Sequence, residues 1–301
     1  MFKVTHNKMN SFFTSGETKD PDYKCVRDQA NQTEVREFIE SLWQKYAEYA
    51  DPHFLNETKI QFHPRFWEMY LTCTLLKRGF KIQRFDHEGP EYFFMVENRR
   101  IWVEAIAPIA GVGDDKVPDI PIEGISYSPA EKILMRFTHA LNEKYKKYKI
   151  DLSKGIIKPE DYIILAINSR AIPGASFSID LPYYVKALLP IGNLHISVDL
   201  KTLDSSEPSY QYRDKIFKTN GSSVATTSFL NPDFSPFIAV IHSSVNCVNR
   251  PEILGDDFSV FHNPLSKYKL MLDQFFWCQQ FTSNDNSLLE THPLITYKSE
   301  R

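Results

Sequence analysis

The chain has 301 residues, of which 42% are hydrophobic, 14% aromatic and 24% charged. That composition excludes wholesale disorder, and the length allows a full core without disulfide or metal staples, in about two domains or one large domain with extensions. A formal net charge of −3, with 11 glycines against 18 prolines, excludes glycine-rich repeats and removes the simple route from a strongly basic chain to nucleic acid. Local patches stay open.

Residues 1–30 are polar and read as irregular, with no apolar stretch long enough for a signal peptide. From 33 to 50, Val35, Phe38, Ile39, Leu42, Trp43 and Tyr46 recur at helical spacing, with Asn31 and Glu34 placed for an N-cap and Asp51-Pro52 as a stop. A second helix is expected from His63-Pro64 to Arg78, closed by Gly79. Three short strands follow, Phe80–Phe85, Glu91–Val96 and Ile101–Ala107, separated by turns at Asp86–Pro90 and Glu97–Arg100. Residues 108–128 read as a long loop, Pro129–Lys149 as a helix and Tyr162–Asn168 as a buried strand. Beyond lie a short helix near Leu181–Leu189 and strands at His195–Leu200, Phe237–His242 and Phe258–His262, with polar Thr202–Asn231 as a loop. The order predicts an α/β fold, a mixed central sheet flanked by helices. No window approaches the ~18 apolar residues of a membrane span, so no membrane partner and a cytoplasmic location are expected.

Chemistry concentrates on three glutamates. Glu68 has Leu71, Thr72, Leu75 and Leu76 at i+3, i+4, i+7 and i+8, which puts it in the middle of its helix's most apolar face. A carboxylate there meets an arginine or backbone amide, sits at a solvent-facing edge, or belongs to a site. If the hairpin turn centres between Asn98 and Arg99, Glu91 faces Ile106 and Phe93 faces Glu104, so Glu91 and Glu104 share one face as diagonal neighbours, roughly 7–8 Å apart at the backbone. From there they can converge on one hard divalent cation; otherwise the face is the solvent side of the sheet.

A helix carrying Glu68, the strand start Gly89-Pro90-Glu91-Tyr92 and the strand Ile101-Trp102-Val103-Glu104-Ala105 together resemble the PD-(D/E)xK, or restriction-endonuclease-like, nuclease superfamily. The resemblance spans about residues 63–168 and implies a restriction-endonuclease-like core at 58–175, an N-terminal helical extension over 1–57 and a C-terminal α/β extension over 176–301. It implies a nuclease dependent on Mg²⁺ or Mn²⁺ and acting on DNA or RNA, with Glu91 and Glu104 as metal ligands, Glu68 as an accessory acid and a lysine beside the attacking water. Two positions depart from the pattern: Glu91 stands where aspartate is usual, and Ile106 where the lysine belongs. Isoleucine cannot steady a hydroxide or neutralise phosphate charge, so activity requires a cation from elsewhere. A catalytically inactive relative that binds nucleic acid or protein through the same fold is the alternative.

Lys144 is the candidate replacement, with Arg136 second. Lys144 projects within about 20° of both Ile133 and Phe137 on the apolar side of its helix, where it either snorkels or meets a carboxylate. From Pro129 to Lys149 six Lys or Arg stand against two Glu, a net of +4. Arg136, Lys146 and Lys147, with interleaved tyrosines, are placed to hold nucleic-acid phosphates, or else the lysines complement the helix dipole. The cysteines (Cys25, Cys73, Cys247 and Cys278) form no C-x-x-C pair, and Cys73 and Cys278 read as core. His195, His242 and His262 read as structural strand histidines, and Asp114, Asp115 and Asp119 as a loop cluster that could add a metal ligand.

Overall fold

A computed structural model of the protein describes residues 11–85, 89–90, 92–124, 127–178, 180–269, 272–283 and 289–292. The N-terminal region is more ordered than its polarity suggests. Helix α1 (Pro21–Asp28) buries only Tyr23 and Val26, too few positions to show a period, and Asp20 caps it by accepting from the Asp22 and Tyr23 amides. Helix α2 (Thr33–Tyr46) buries Val35, Ile39, Leu42, Trp43 and Tyr46. A 3₁₀ turn over Ala30–Gln32 leads into it, so the expected Asn31 cap is absent and Asn31 lies within that turn. After the short α3 (Phe54–Thr58) comes α4 (Phe62–Lys77), whose first amide donates to Asp20 Oδ2 at 2.9 Å. It ends as expected at Gly79, with φ of +89° and the Phe80 amide bonded back to the Leu75 carbonyl.

Strands β1 (Gln83–Arg84), β2 (Tyr92–Val96) and β3 (Arg99–Ile106) form an antiparallel meander. The turn between β2 and β3 is centred on Glu97-Asn98, both at positive φ (48° and 65°), one residue earlier than expected. Phe93 therefore pairs with Trp102 and not with Glu104. The slip is two residues along the partner strand, so side chains keep their faces while their neighbours change. Glu91, and with it the expected Glu91–Glu104 adjacency, lies outside the described residues.

Helix α5 (Ala130–Ser153) runs about one turn beyond its expected end and leads into β4 (Tyr162–Asn168), parallel to β3. Next come α6 (Tyr183–Leu188), then β5 (Ile191–His195) with β6 (Ser209–Tyr212), and β7 (Lys215–Phe217) with β8 (Ser223–Ala225), each pair a two-stranded ribbon. The polar 202–231 segment is thus not a plain loop: Tyr210 and Tyr212, the adjacent Ile216 and Phe217, and Val224, all β-favouring types, suffice for short strands. Strands β9 (Phe237–Ser243), β10 (Ser259–His262), β11 (Gln279–Ser283) and β12 (Leu289–His292) complete an eight-stranded mixed sheet, ordered β1-β2-β3-β4-β9-β10-β11-β12. Strand β9 pairs directly with β4, so one sheet draws strands from both sides of residue 176 in the chain.

The architecture is mixed α/β. Helices α1 to α4 cover one face with a core that includes Trp67, Tyr70, Ile101, Val103 and Ile164. Helices α5 and α6 cover the other, around Trp102, Leu134, Phe137, Leu165 and Phe237. The Trp67 indole donates to the Ala166 carbonyl at 3.1 Å, fixing α4 across the sheet. Among the described residues no helix is long and apolar enough to cross a membrane.

Candidate active site

The described ladder between β2 and β3 ends at the pair Tyr92–Val103, and β3 continues to Ile106. Beside this end of the meander opens a cleft of about 370 Å³, reached from α4 on one side and α5 on the other. Its lining includes Arg65, Glu68, Tyr92, Glu104, Ile106, Lys144 and Lys147. The strand period explains how both layers meet here: Tyr92 turns to the α1–α4 face, whereas Glu104, adjacent to inward-facing Val103, turns to α5.

On the α4 flank, Glu68 is 7% exposed, as expected. Its Oε1 accepts from the Tyr46 hydroxyl at 2.5 Å and the Tyr92 hydroxyl at 2.7 Å, and its Oε2 from Arg65 Nη1 at 2.6 Å. Arg65, one helical turn before Glu68, also pairs with Glu57 from α3. The arginine partner is the one already open to a buried glutamate, and the spacing Arg65-x-x-Glu68 signals it. Sequence reasoning missed the two phenols, because Tyr46 fits the apolar stripe of α2. Burial, then the Glu68 charge and Tyr92, push the Tyr46 hydroxyl well above the ordinary tyrosine value, so it remains a donor.

On the α5 flank, Glu104 is 8% exposed and both its oxygens accept from ammonium groups: Lys144 Nζ at 2.5 Å and Lys147 Nζ at 2.9 Å. Lys144 has met a carboxylate, one of the two outcomes its helical phase allows. Lys147 also reaches the Gly89 carbonyl at 3.3 Å. Burial acts to raise the Glu104 carboxyl; the charges and hydrogen bonds of Lys144 and Lys147 outweigh it and hold the group below the ordinary glutamate value. Glu104 is therefore a carboxylate. Across the described lining, three cationic side chains face two anionic ones, a net of +1.

Other expected contributors lie elsewhere. Arg136 does not line the cleft; its guanidinium packs against Gly111, leaving no room for a Cβ there. Lys146 is exposed and pairs with Glu143 at 2.7 Å. Asp115 binds the amide and hydroxyl of Thr219, 104 residues on, exposed Asp119 pairs with Lys116, and Asp114 accepts from Lys132 and Thr219 through its backbone carbonyl. His195, His242 and His262 contact Ser209, Ser169 and Gln280 respectively, and do not cluster. All four cysteines are free, with Cys73 and Cys278 buried.

Carboxylate oxygens are the donors a hard divalent cation takes. All four oxygens of Glu68 and Glu104 already accept from protein donors, and among the described residues no group of three or more His, Cys, Asp or Glu is placed to hold a metal ion. The described donor set does not fit Mg²⁺ or Mn²⁺ by itself. What it fits directly is an anion: Lys144 and Lys147 present ammonium groups to a cleft of nucleotide scale, backed by a carboxylate that holds them in place. Compared with models of protein families, with curated proteins and with solved structures, the chain has no match.

Proposed function

We propose that the cleft is a phosphodiester site and that the protein is a nuclease of restriction-endonuclease-like type acting on DNA or RNA. The observation that carries this reading is Lys144 Nζ at 2.5 Å from Glu104 inside the cleft, a cation delivered from α5 where Ile106 leaves β3 without one. The element order supports it: α4, then the antiparallel β1–β3, then α5 crossing to a parallel β4. In this reading Lys144 donates to a phosphoryl oxygen or to the attacking water, Lys147 neutralises phosphate charge, and Glu104 orients both ammonium groups. Glu68 fixes the cleft wall through Tyr46, Tyr92 and Arg65. Mg²⁺ or Mn²⁺ belongs to the proposal only with Glu91 beside Glu104, since the described residues do not complete a cation site.

The second reading, a catalytically inactive nucleic-acid-binding protein, is favoured by one observation: both Glu104 oxygens are held by lysines. Incubation of the full chain with plasmid DNA and with RNA, each with Mg²⁺ or Mn²⁺, separates the two. Cleavage that disappears in Glu104→Ala and Lys144→Ala supports the nuclease. Binding without cleavage selects the second reading, and absence of both binding and cleavage overturns both.

A further inference from the structure

Internal bonding in the cleft leaves one polar side chain over. On the α4 flank Arg65, Glu68 and Tyr92 are tied together, and on the α5 flank Glu104, Lys144 and Lys147. Gln61 is exposed on the α4 flank and lines the same cleft, yet its carboxamide bonds to none of the described residues. Its backbone is fixed: the Gln61 amide donates to the Glu57 carbonyl at 2.9 Å, and the next amide, of Phe62, to Asp20 Oδ2. A fixed stem with an unengaged carboxamide offers one acceptor oxygen and two N–H donors to whatever enters the cleft.

Charge sets which way round a nucleotide lies. On the α5 flank Lys144 and Lys147 outweigh Glu104, a net of +1. Lys144 gives one of its three N–H groups to Glu104, and Lys147 gives two, to Glu104 and Gly89, so three remain for phosphate oxygens. On the α4 flank Arg65 is held by Glu68 and, outside the lining, by Glu57 and Asp51, a net of −2. That flank repels a phosphate and accepts a neutral base. The phosphate therefore lies against α5 and the base against α4, beside Gln61.

We infer that the cleft takes one unpaired nucleotide and that its substrate is single-stranded nucleic acid, an inference that rests on the phosphodiester reading above. The chemistry of the carboxamide carries it. The Watson–Crick edge of every base sets a hydrogen-bond donor next to an acceptor, and a carboxamide matches that pair in either order by turning over. In a duplex the opposite strand occupies those edges. Space points the same way: a sphere of the cleft's 370 Å³ is roughly 9 Å across, less than the ~12 Å of a B-DNA major groove alone. Gln61 thus separates unpaired from paired bases and does not separate one base from another.

Fluorescence anisotropy of the full chain with labelled oligo(dT), with oligo(dA) and with the two annealed tests this. The single strands are expected to bind within about threefold of each other, and the duplex at least about tenfold more weakly. Gln61→Leu, a change at an exposed position, is expected to weaken both single strands about tenfold, the worth of two neutral hydrogen bonds, and to leave the duplex unchanged. Lys144→Ala is expected to weaken all three. Duplex binding as tight as that of the single strands overturns the inference and leaves the phosphodiester reading standing. Gln61→Leu with unchanged single-strand affinity and unchanged circular dichroism does the same, as does a strong preference for one single strand over the other. No binding of any strand, with or without Mg²⁺, overturns the phosphodiester reading and this inference with it.

Discussion

The two flanks of the cleft hold the same residue type at nearly the same burial and do different things with it. Glu68, 7% exposed, is gripped by two phenols and an arginine that has other acids to hold it. Glu104, 8% exposed, is gripped by two flexible ammonium groups, one on a side chain 42% open to solvent. Phenols fixed in a core cannot leave their partner without an unsatisfied group, whereas lysines at a cleft can turn to an incoming phosphate. The α4 flank is thus scaffold and the α5 flank is exchangeable. Function is expected to fail on one side and stability on the other.

The largest expected effect is on activity at the α5 flank. Under the proposed nuclease reading, Lys144→Ala is expected to lower the cleavage rate at least about 10²-fold, the scale of losing a preorganised donor, and Lys147→Ala less. Glu104→Gln, which keeps shape but releases both ammonium groups, should act at least as strongly as Lys144→Ala. Single-turnover cleavage of plasmid DNA or RNA checks these, and an undiminished rate in Lys144→Ala would end the idea that α5 supplies the missing cation.

Stability reverses the ranking. Glu68→Ala leaves Arg65, Tyr46 and Tyr92 facing a buried gap and is expected to cost about 3 kcal/mol. Glu104→Ala lets its two lysines swing to solvent and is expected to cost about 1 kcal/mol. Urea denaturation of both variants tests the contrast, which fails if the two costs are equal or inverted.

This asymmetry shows what a linear sequence displays. The inward aim of Lys144 follows from the helical period, because it depends only on phase within one helix. The burial of Glu68 came out as expected, but for a different reason, since every residue of α4 from Phe66 to Leu75 is buried whatever its phase. Strand β4 was legible as a buried strand, since Tyr162–Ile167 is an unbroken apolar run, whereas its parallel pairing with β3 was not predicted. Tyr46 and Tyr92 as partners of Glu68 were not, because a tyrosine in an apolar stripe does not announce where its hydroxyl points. The β2–β3 register slipped by two because Glu97 carries no turn preference, and its left-handed φ is set by the hairpin around it. Strand β11, with Gln279, Gln280, Thr282 and Ser283, escaped because only Phe281 is apolar.

Acid should sharpen the comparison further. The folded Glu104 carboxyl lies below its ordinary value, so its contribution is complete above the unfolded-state pKa of about 4.3 and is lost as pH falls through the folded value. The stability gap between wild type and Glu104→Gln is therefore expected to be constant above about pH 5 and to narrow toward pH 3. Urea midpoints at several pH values measure this. A gap that widens in acid would mean that the lysines do not hold the carboxylate in its charged form.

The last effect concerns how the scaffold flank is set in place. Asp20 caps two helices at once: Oδ1 takes the Asp22 and Tyr23 amides of α1, and Oδ2 takes the Phe62 amide that begins α4. A side-chain amide has a single acceptor oxygen, so Asp20→Asn can serve one helix start but not both. Asp20→Ala is expected to cost about 1–2 kcal/mol, and Asp20→Asn roughly half as much. Because Arg65 and Glu68 lie in the first two turns of α4, hydrogen exchange in that segment should rise in both variants while the amides of β3 and α5 stay protected. Equal loosening of the two flanks would show that they form one unit, and the division between scaffold and exchangeable side would fall with it.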